Sequence, residues 1–364
     1  MAEYSIRDIA RMAGVSVGTV SRILNHAENV DEGIRQRTME VIRQVNYRSG
    51  RRGRRAESRS ATFATQERPR TLALISPGMG SAWKNNDLWA SYMAGIEAAC
   101  QERHCRLTLY MADVNQEDIA REIIRNSDGV LIKMVNPLPD YLKGLITLLP
   151  AVGFGATHTI DPLPQVIVDN NAGGLLATEQ LLKLGHRRIA FINHEACNEI
   201  FIARSNGYLE VMKSTGNFRP EYLVEFSCSS RKAGGVVEPE QTPPDMSGWL
   251  DHLLALPERP TAAIFANDWA AFGFLIACRA RDIRVPDDIS IIGMDDTGNL
   301  CNLLKPALSS VAMPFNRVSH FATCTLCDLI EGIGIHQRNM ASIIRIPGTL
   351  KQRDSVKTFT PQQR

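Results

Sequence analysis

Apolar positions along the first fifty residues recur at helical spacing in three short blocks. Ile6, Ile9 and Ala10 share a face in the first block; Val20, Ile23 and Leu24 do so in the second; Ile34, Thr38, Val41 and Val45 do so in the third. Ser5 with Asp8 three positions on has the form of a capping box, Ser16 is placed to cap the second block, and the third follows Asp31. Gly14 lies between the first two blocks, where a tight turn needs the left-handed conformation that glycine adopts without a Cβ penalty. Residues 10–25, ARMAGVSVGTVSRILN, thus predict a helix-turn-helix, with a second helix dense in Ser, Thr and Arg for the DNA major groove.

From Arg70 the pattern changes. Short continuous apolar runs at 71–76, 106–111, 129–134, 151–154, 165–169, 188–193, 262–266 and 290–294 predict strands. Amphipathic stretches such as 88–103 and 174–184 separate them and predict helices. This alternation is that of parallel α/β domains, whose ligands bind at the carboxyl ends of the strands. Residues 228–248 are rich in Gly and Pro and predict a long surface loop. Gly185-His186-Arg187 reads as turn chemistry.

Composition sharpens this picture through charge. Residues 1–70 carry fourteen Arg, no Lys and eight acids, a net charge of +6, whereas the whole chain carries only +2. A basic head on a mildly acidic body suits a nucleic-acid reader joined to a domain that must not bind DNA. No apolar run has the length of a membrane span, and the first ten residues lack the apolar core of a signal peptide; a cytoplasmic protein without a membrane partner is expected. In that compartment the eight cysteines should stay reduced. Cys324 and Cys327 have C-x-x-C spacing with His320 four residues earlier, but no fourth ligand is visible. FATCTLCDLI is accordingly read as an apolar helix that uses Cys as a small core residue, with no metal and no cofactor. PGMGSAW after the first strand offers Gly78 and Gly80 but has Trp83 where a dinucleotide fingerprint needs its third glycine, and no hydrolase or phosphate-loop motif appears. An enzyme is not expected.

The run IRDIARMAGVSVGTVSRILN, with its A-G-V-S-x-x-T-V-S-R-x-L-N core intact from Ala13 to Asn25, resembles the head of the lactose-repressor/galactose-repressor (LacI/GalR) family of bacterial transcription regulators. The resemblance extends through YMAGIE (92–97), SDGVLI (127–132), VDNNAGG (168–174), LGHRRIAFI (184–192), RSNGY (204–208), IFANDWAAFG (264–273), VPDDISIIGMDD (285–296) and KPALSSV (305–311). It implies an α/β fold with an N-terminal three-helix helix-turn-helix head and a two-lobed, Rossmann-like effector domain of the periplasmic-binding-protein kind, its lobes joined by three crossovers. The divisions expected are a DNA-binding head at 1–48, an arginine-rich hinge at 49–69, an effector-binding and dimerisation domain at 70–350, and a C-terminal tail at 351–364.

Chemistry and resemblance together assign roles. Ser16, Thr19 and Ser21 offer hydroxyls to phosphate oxygens, which fix register. Arg22 presents its fork to a guanine. Val17 and Gly18 occupy the family's variable reading positions, and Asn25 completes the outward face. In the hinge, Ser49, Gly50 and Gly53 replace the family's Pro, Asn and Ala, and Ala56 stands where a Leu wedge belongs. Arg51, Arg52 and Arg54 are therefore expected to lie along phosphates or in a narrow minor groove as a flexible arm.

For the effector, the resemblance carries over Arg204, Asn267 and Asp295, groups that suit the hydroxyls of a sugar or nucleoside. Trp89 and Trp269 are candidate platforms under a sugar ring. Asp169 and Asn170 match a family pair near the lobe junction and are read as structural. The function implied is a homodimeric transcriptional repressor on a pseudo-palindromic double-stranded DNA operator, controlled by that effector. The departures in the hinge leave a second reading, a DNA-binding protein whose sugar-binding domain no longer responds to ligand.

Overall fold

The computed structural model describes residues 6–24, 31–44, 69–77, 87–112, 117–134, 138–155, 163–225, 243–333 and 341–360. The chain falls into two compact units, Met1–Gln66 and Glu67–Arg364.

The first unit holds α1 (Ile6–Ala13), α2 (Val17–Leu24) and α3 (Glu32–Gln44). α1 ends because Gly14 takes φ +67°, which lets its N–H reach Arg11 O (3.3 Å) while Val15 N–H reaches Ala10 O (2.9 Å), closing the last turn. Ser16 caps α2, its Oγ accepting from Thr19 N–H at 3.0 Å. Asp31 caps α3 through Ile34 N–H at 3.1 Å. Ile9, Ala10, Val20 and Ile23 are buried between these helices. Thr38 joins them without stranding its hydroxyl, which donates to Ile34 O at 2.8 Å.

The second unit is built on two six-stranded sheets. β1 (Thr71–Pro77), β2 (Arg106–Ala112), β3 (Gly129–Lys133), β4 (Ala151–Gly155) and β5 (Pro164–Asp169) lie in one, with α4 (Asp87–Glu102), α5 (Glu117–Asn126) and α6 (Asp140–Leu148) between them. The chain then crosses into α7 (Asn170–Lys183) and a second sheet of β6 (Ile189–Asn193), β7 (Leu223–Glu225), β8 (Ala262–Phe265), β9 (Ser290–Asp295) and β10 (Ser309–Ala312). α8 (Glu199–Ser214), α9 (Ser247–Ala255), α10 (Asp268–Ala280) and α11 (Leu300–Leu303) connect these strands. A second crossing leads to α12 (Phe315–Glu331), which packs on α4, and to β11 (Ser342–Pro347), which pairs parallel with β5. A third, at Gly348, delivers β12 (Thr349–Lys351) antiparallel to β10.

The strand orders are β11-β5-β4-β3-β1-β2 and β12-β10-β9-β8-β6-β7, and every pairing except β10–β12 is parallel. Central strands are apolar throughout because helices cover both faces; Ala262, Ala263, Ile264 and Phe265 are all fully buried. All eight strands expected from the apolar runs are present, and the two-lobed α/β architecture with three crossings is as the resemblance implies. Within 228–248, residues 228–242 fall outside the described residues, and Ser247 and Gly248 open α9.

Residues 352–359 are part of the second lobe. Ser355 is buried, donating to Ile291 O (2.7 Å) and accepting from Ser309 N–H (2.8 Å). His186 is buried beneath this segment, its Nδ1 2.9 Å from Thr261 Oγ1 and its Nε2 3.0 Å from Lys357 O. Gly185 at φ +90° and Arg187, whose guanidinium caps the end of α7 at Leu182 O (2.9 Å), complete the turn expected there.

Candidate DNA interface and effector cleft

On α2, burial of Val20 and Ile23 against α1 and α3 turns the opposite side outward. Val17, Gly18 and Arg22 are exposed there, with Ser21 half-buried beside them. Nothing but Ser16 Oγ, at 3.7 Å, stands near the space a Gly18 side chain would fill, so a groove edge can approach the backbone closely. Ser16 and Thr19 hydroxyls lie 2.8 Å apart and can receive one phosphate together. Asn25, Arg51, Arg52 and Arg54 lie outside the described residues.

In the second unit, α8 and β9 bring Arg204 and Asp295 together. Arg204 is 2 % exposed and each nitrogen of its guanidinium donates one hydrogen bond: Nη2 to Asp295 Oδ1 (2.5 Å), Nη1 to Ala266 O (2.5 Å) and Nε to Asn170 Oδ1 (3.0 Å). A charge this deep is tolerable only because every face of the fork meets an acceptor. Asn170, read from sequence as structural, is thus a positioning residue for the fork, while Asp169 caps α7 through Ala172 N–H at 3.0 Å. Asn267 lies one residue beyond the Ala266 carbonyl and caps α10, accepting from Ala270 N–H at 2.8 Å. Arg204, Asn267 and Asp295 therefore converge at the carboxyl ends of β8 and β9, where a cleft ligand sits in this class of fold.

Asp295 takes φ +111° and Asp296 φ +55°, a conformation costly for residues with a Cβ and kept only where surroundings impose it. Asp296 is clamped by Arg353 (2.7 Å) and Lys351 (2.5 Å), and its N–H donates to Ser310 Oγ (3.1 Å). Below it Asp268, fully buried, accepts from Ser310 Oγ (2.7 Å) and Thr297 N–H (2.8 Å). Burial, and then the Asp295 carboxylate, push the Asp268 carboxyl from 3.8 up to about 7. The folded state therefore holds this proton more tightly than the unfolded chain. Its stabilising effect is complete below about pH 4 and is lost as pH rises toward about 7. Asp268→Asn is expected to flatten that part of the profile, read as urea midpoints from pH 4 to 8.

The first lobe faces this pair with aromatic rings. Tyr92 of α4 is packed edge-on against Phe154 and Phe315, both with ring centroids at 5.3 Å, and against Trp89 at 6.5 Å. Burial, then the Asp295 carboxylate, raise the Tyr92 phenol above its usual range, with Arg204 opposing them, so the ring lies within electrostatic reach of the pair. Trp89 is 4 % exposed and belongs to the core behind Tyr92. Trp269, half-buried in the first turn of α10, leans on Phe272. Tyr92 is the aromatic that sequence reasoning passed over; its place in the matched YMAGIE stretch was the available signal.

Cys324 and Cys327 sit on α12 as expected of a core-packing helix, Cys327 being buried with its sulfur 3.5 Å from that of Cys105. Glu102, His320 and Cys324 nonetheless bring ligand atoms within 4.8 Å of one another. His320 Nε2 lies 3.1 Å from Glu102 Oε2, and the Arg103 guanidinium is close enough to Cys324 to interact with it, so a positive charge already neighbours the cluster. Cys197 is disulfide-bonded, a departure from the all-reduced expectation that its spacing in the sequence did not announce.

The pattern of bacterial regulatory proteins of the lacI family matches residues 5–49, and that of the periplasmic binding protein-like domain matches residues 178–356. Relatives of the same two-part build match nearly end to end. The ribose operon repressor of Haemophilus influenzae is 26 % identical over 341 residues, covering 92 % of this chain and 95 % of its own length. The chain belongs to the LacI family. Another LacI-family relative, the HTH-type transcriptional repressor PurR of Vibrio cholerae, is 27 % identical over 368 residues, with 98 % and 99 % covered. The lac repressor dimer bound to operator and the anti-inducer ONPF shares the fold at 20 % identity and a TM-score of 0.59, with 98 % and 100 % covered. As a LacI-family member the chain is a DNA-binding transcriptional regulator and not an enzyme. No described helix is long and apolar enough to cross a membrane.

Proposed function

We propose that the chain is a cytoplasmic, homodimeric repressor that reads a pseudo-palindromic operator through α2 and is controlled by a polyol, a sugar or nucleoside, bound between the lobes of its second unit. The buried Arg204–Asp295 pair at the strand ends, facing the Tyr92 wall, carries the ligand reading. Its carboxylate accepts from ring hydroxyls, its guanidinium donates to ring oxygens, and the aromatic wall accepts the apolar face of a sugar. A ribose operon repressor among the relatives supports that ligand class. Two heads related by twofold symmetry match the symmetry of the operator.

Arg22, as the exposed charged group on the reading face, carries base preference. Arg22→Ala is expected to reduce discrimination by about 1–3 kcal/mol at one base position in each half-site while leaving the other positions unchanged. Binding to a panel of singly substituted operators measures this; a uniform loss at every position would make Arg22 a phosphate contact instead. Operator affinity measured with and without ribose tests the control. Tight operator binding that no sugar or nucleoside alters would favour the ligand-unresponsive reading.

A further inference from the structure

Lys133 ends β3 at the carboxyl edge of the first sheet, on the Tyr92 side of the cleft. Its ammonium lies 5.3 Å from the centre of the Tyr92 ring, the same ring that senses Asp295 and Arg204. Lys133 is partly buried, and no carboxylate and no hydrogen-bond acceptor among the described residues engages it, whereas the buried Arg204 and Asp268 of the same unit are paired. Room for it is made by Gly155 at the end of β4: any side chain there would place its Cβ 2.8 Å from the Lys133 Nζ. Burial lowers the Lys133 ammonium to about 8, which leaves it charged at neutral pH. A charged group that has only a ring face beside it among the described residues is costly unless a counter-charge arrives.

We infer that Lys133 receives an oxyanion carried by the effector, so that the ligand is an acidic polyol, a sugar phosphate or a sugar acid. Its anion is held in the first lobe and its hydroxyls by Arg204 and Asp295 in the second. This rests on the reading of the cleft as a polyol site. A charge-assisted hydrogen bond from ammonium to oxyanion supplies the preference for the acidic ligand over its neutral parent. The contact also links one lobe to the other through the ligand, which favours the closed arrangement of the two.

The test is calorimetric titration of the full chain with ribose, ribose 5-phosphate and ribonate, repeated on Lys133→Gln and Lys133→Arg. At least one anionic probe is expected to bind about tenfold or more tightly than ribose. Lys133→Gln should abolish that preference while leaving ribose affinity within about twofold, and Lys133→Arg should restore it. Which anion is preferred separates the phosphate from the carboxylate. Since Lys133→Gln removes a charge with no counter-charge among the described residues, its ligand-free melting temperature should equal or exceed that of the parent, which shows that the variant folds. Ribose bound as tightly as both anions, or a preference that survives Lys133→Gln, overturns the inference and leaves the polyol reading standing. Failure of all three probes to bind overturns both.

Discussion

Replacing Arg204 by Met is expected to destabilise the second unit by about 3–5 kcal/mol and to abolish the effector response, while the head keeps its affinity for DNA. Methionine fills most of the volume but leaves Asp295, Asn170 and the Ala266 carbonyl without the fork that joins them. The larger part of the loss comes from the Asp295 carboxylate, whose ion pair with Arg204 is gone while its backbone remains in a strained conformation. A cycle separates the terms. Arg204→Met with Asp295→Asn should recover about 1–3 kcal/mol of stability relative to Arg204→Met alone, because the stranded charge is removed. Recovery of stability without recovery of ligand response identifies the pair as part of the binding site as well as of the fold. Denaturant unfolding and ligand titration of the three variants measure both.

Gly207→Ala is the second change with a large expected effect. α7 and α8 approach so closely that a Cβ at Gly207 would lie 2.1 Å from Asn171 O, and one at Gly174 would lie 2.0 Å from Arg204 O. These obstacles are backbone atoms, so the helices themselves must separate, at a cost of about 3 kcal/mol or more. Arg204 lies three residues before Gly207 on α8, and its acceptor Asn170 opens α7. Forcing the helices apart therefore lengthens the Arg204–Asn170 contact and weakens effector binding together with stability. Gly144→Ala on α6 is the control: nothing lies within 4 Å of its Cβ position, and the same substitution should stabilise by about 1 kcal/mol. Equal effects at the two positions would show that helix propensity, not the close approach, decides.

Those two helices also show what sequence can and cannot carry. β1, β3, β8 and β9 are legible because central strands covered on both faces leave unbroken apolar runs. β10 is not, since its Ser309 and Ser310 are buried with their hydroxyls bonded to Arg353 N–H and Asp268, and two serines otherwise read as loop. β7 and β12 are three residues each, too short for a period, and β11 is an edge strand with most of its residues only partly buried. In the site, Arg204 and Asp295 are found by their match to the family. Asn170, Tyr92 and Lys133 act through partners 34 or more residues away or across the cleft, and no local pattern marks such pairings.

The last two crossings fix when, during synthesis, the two sheets of the second unit are completed. β5 is the fifth strand made in its sheet, yet its outer edge is covered only by β11, which leaves the ribosome more than 170 residues later. At about 5–20 residues per second that edge stays open for roughly nine seconds or longer, presenting unpaired backbone groups of the kind that recruit foreign strands. The head is translated first and can fold at once, so each nascent chain passes through an interval in which a DNA-reading module precedes any finished cleft. Control by ligand begins only when the final strands have crossed back.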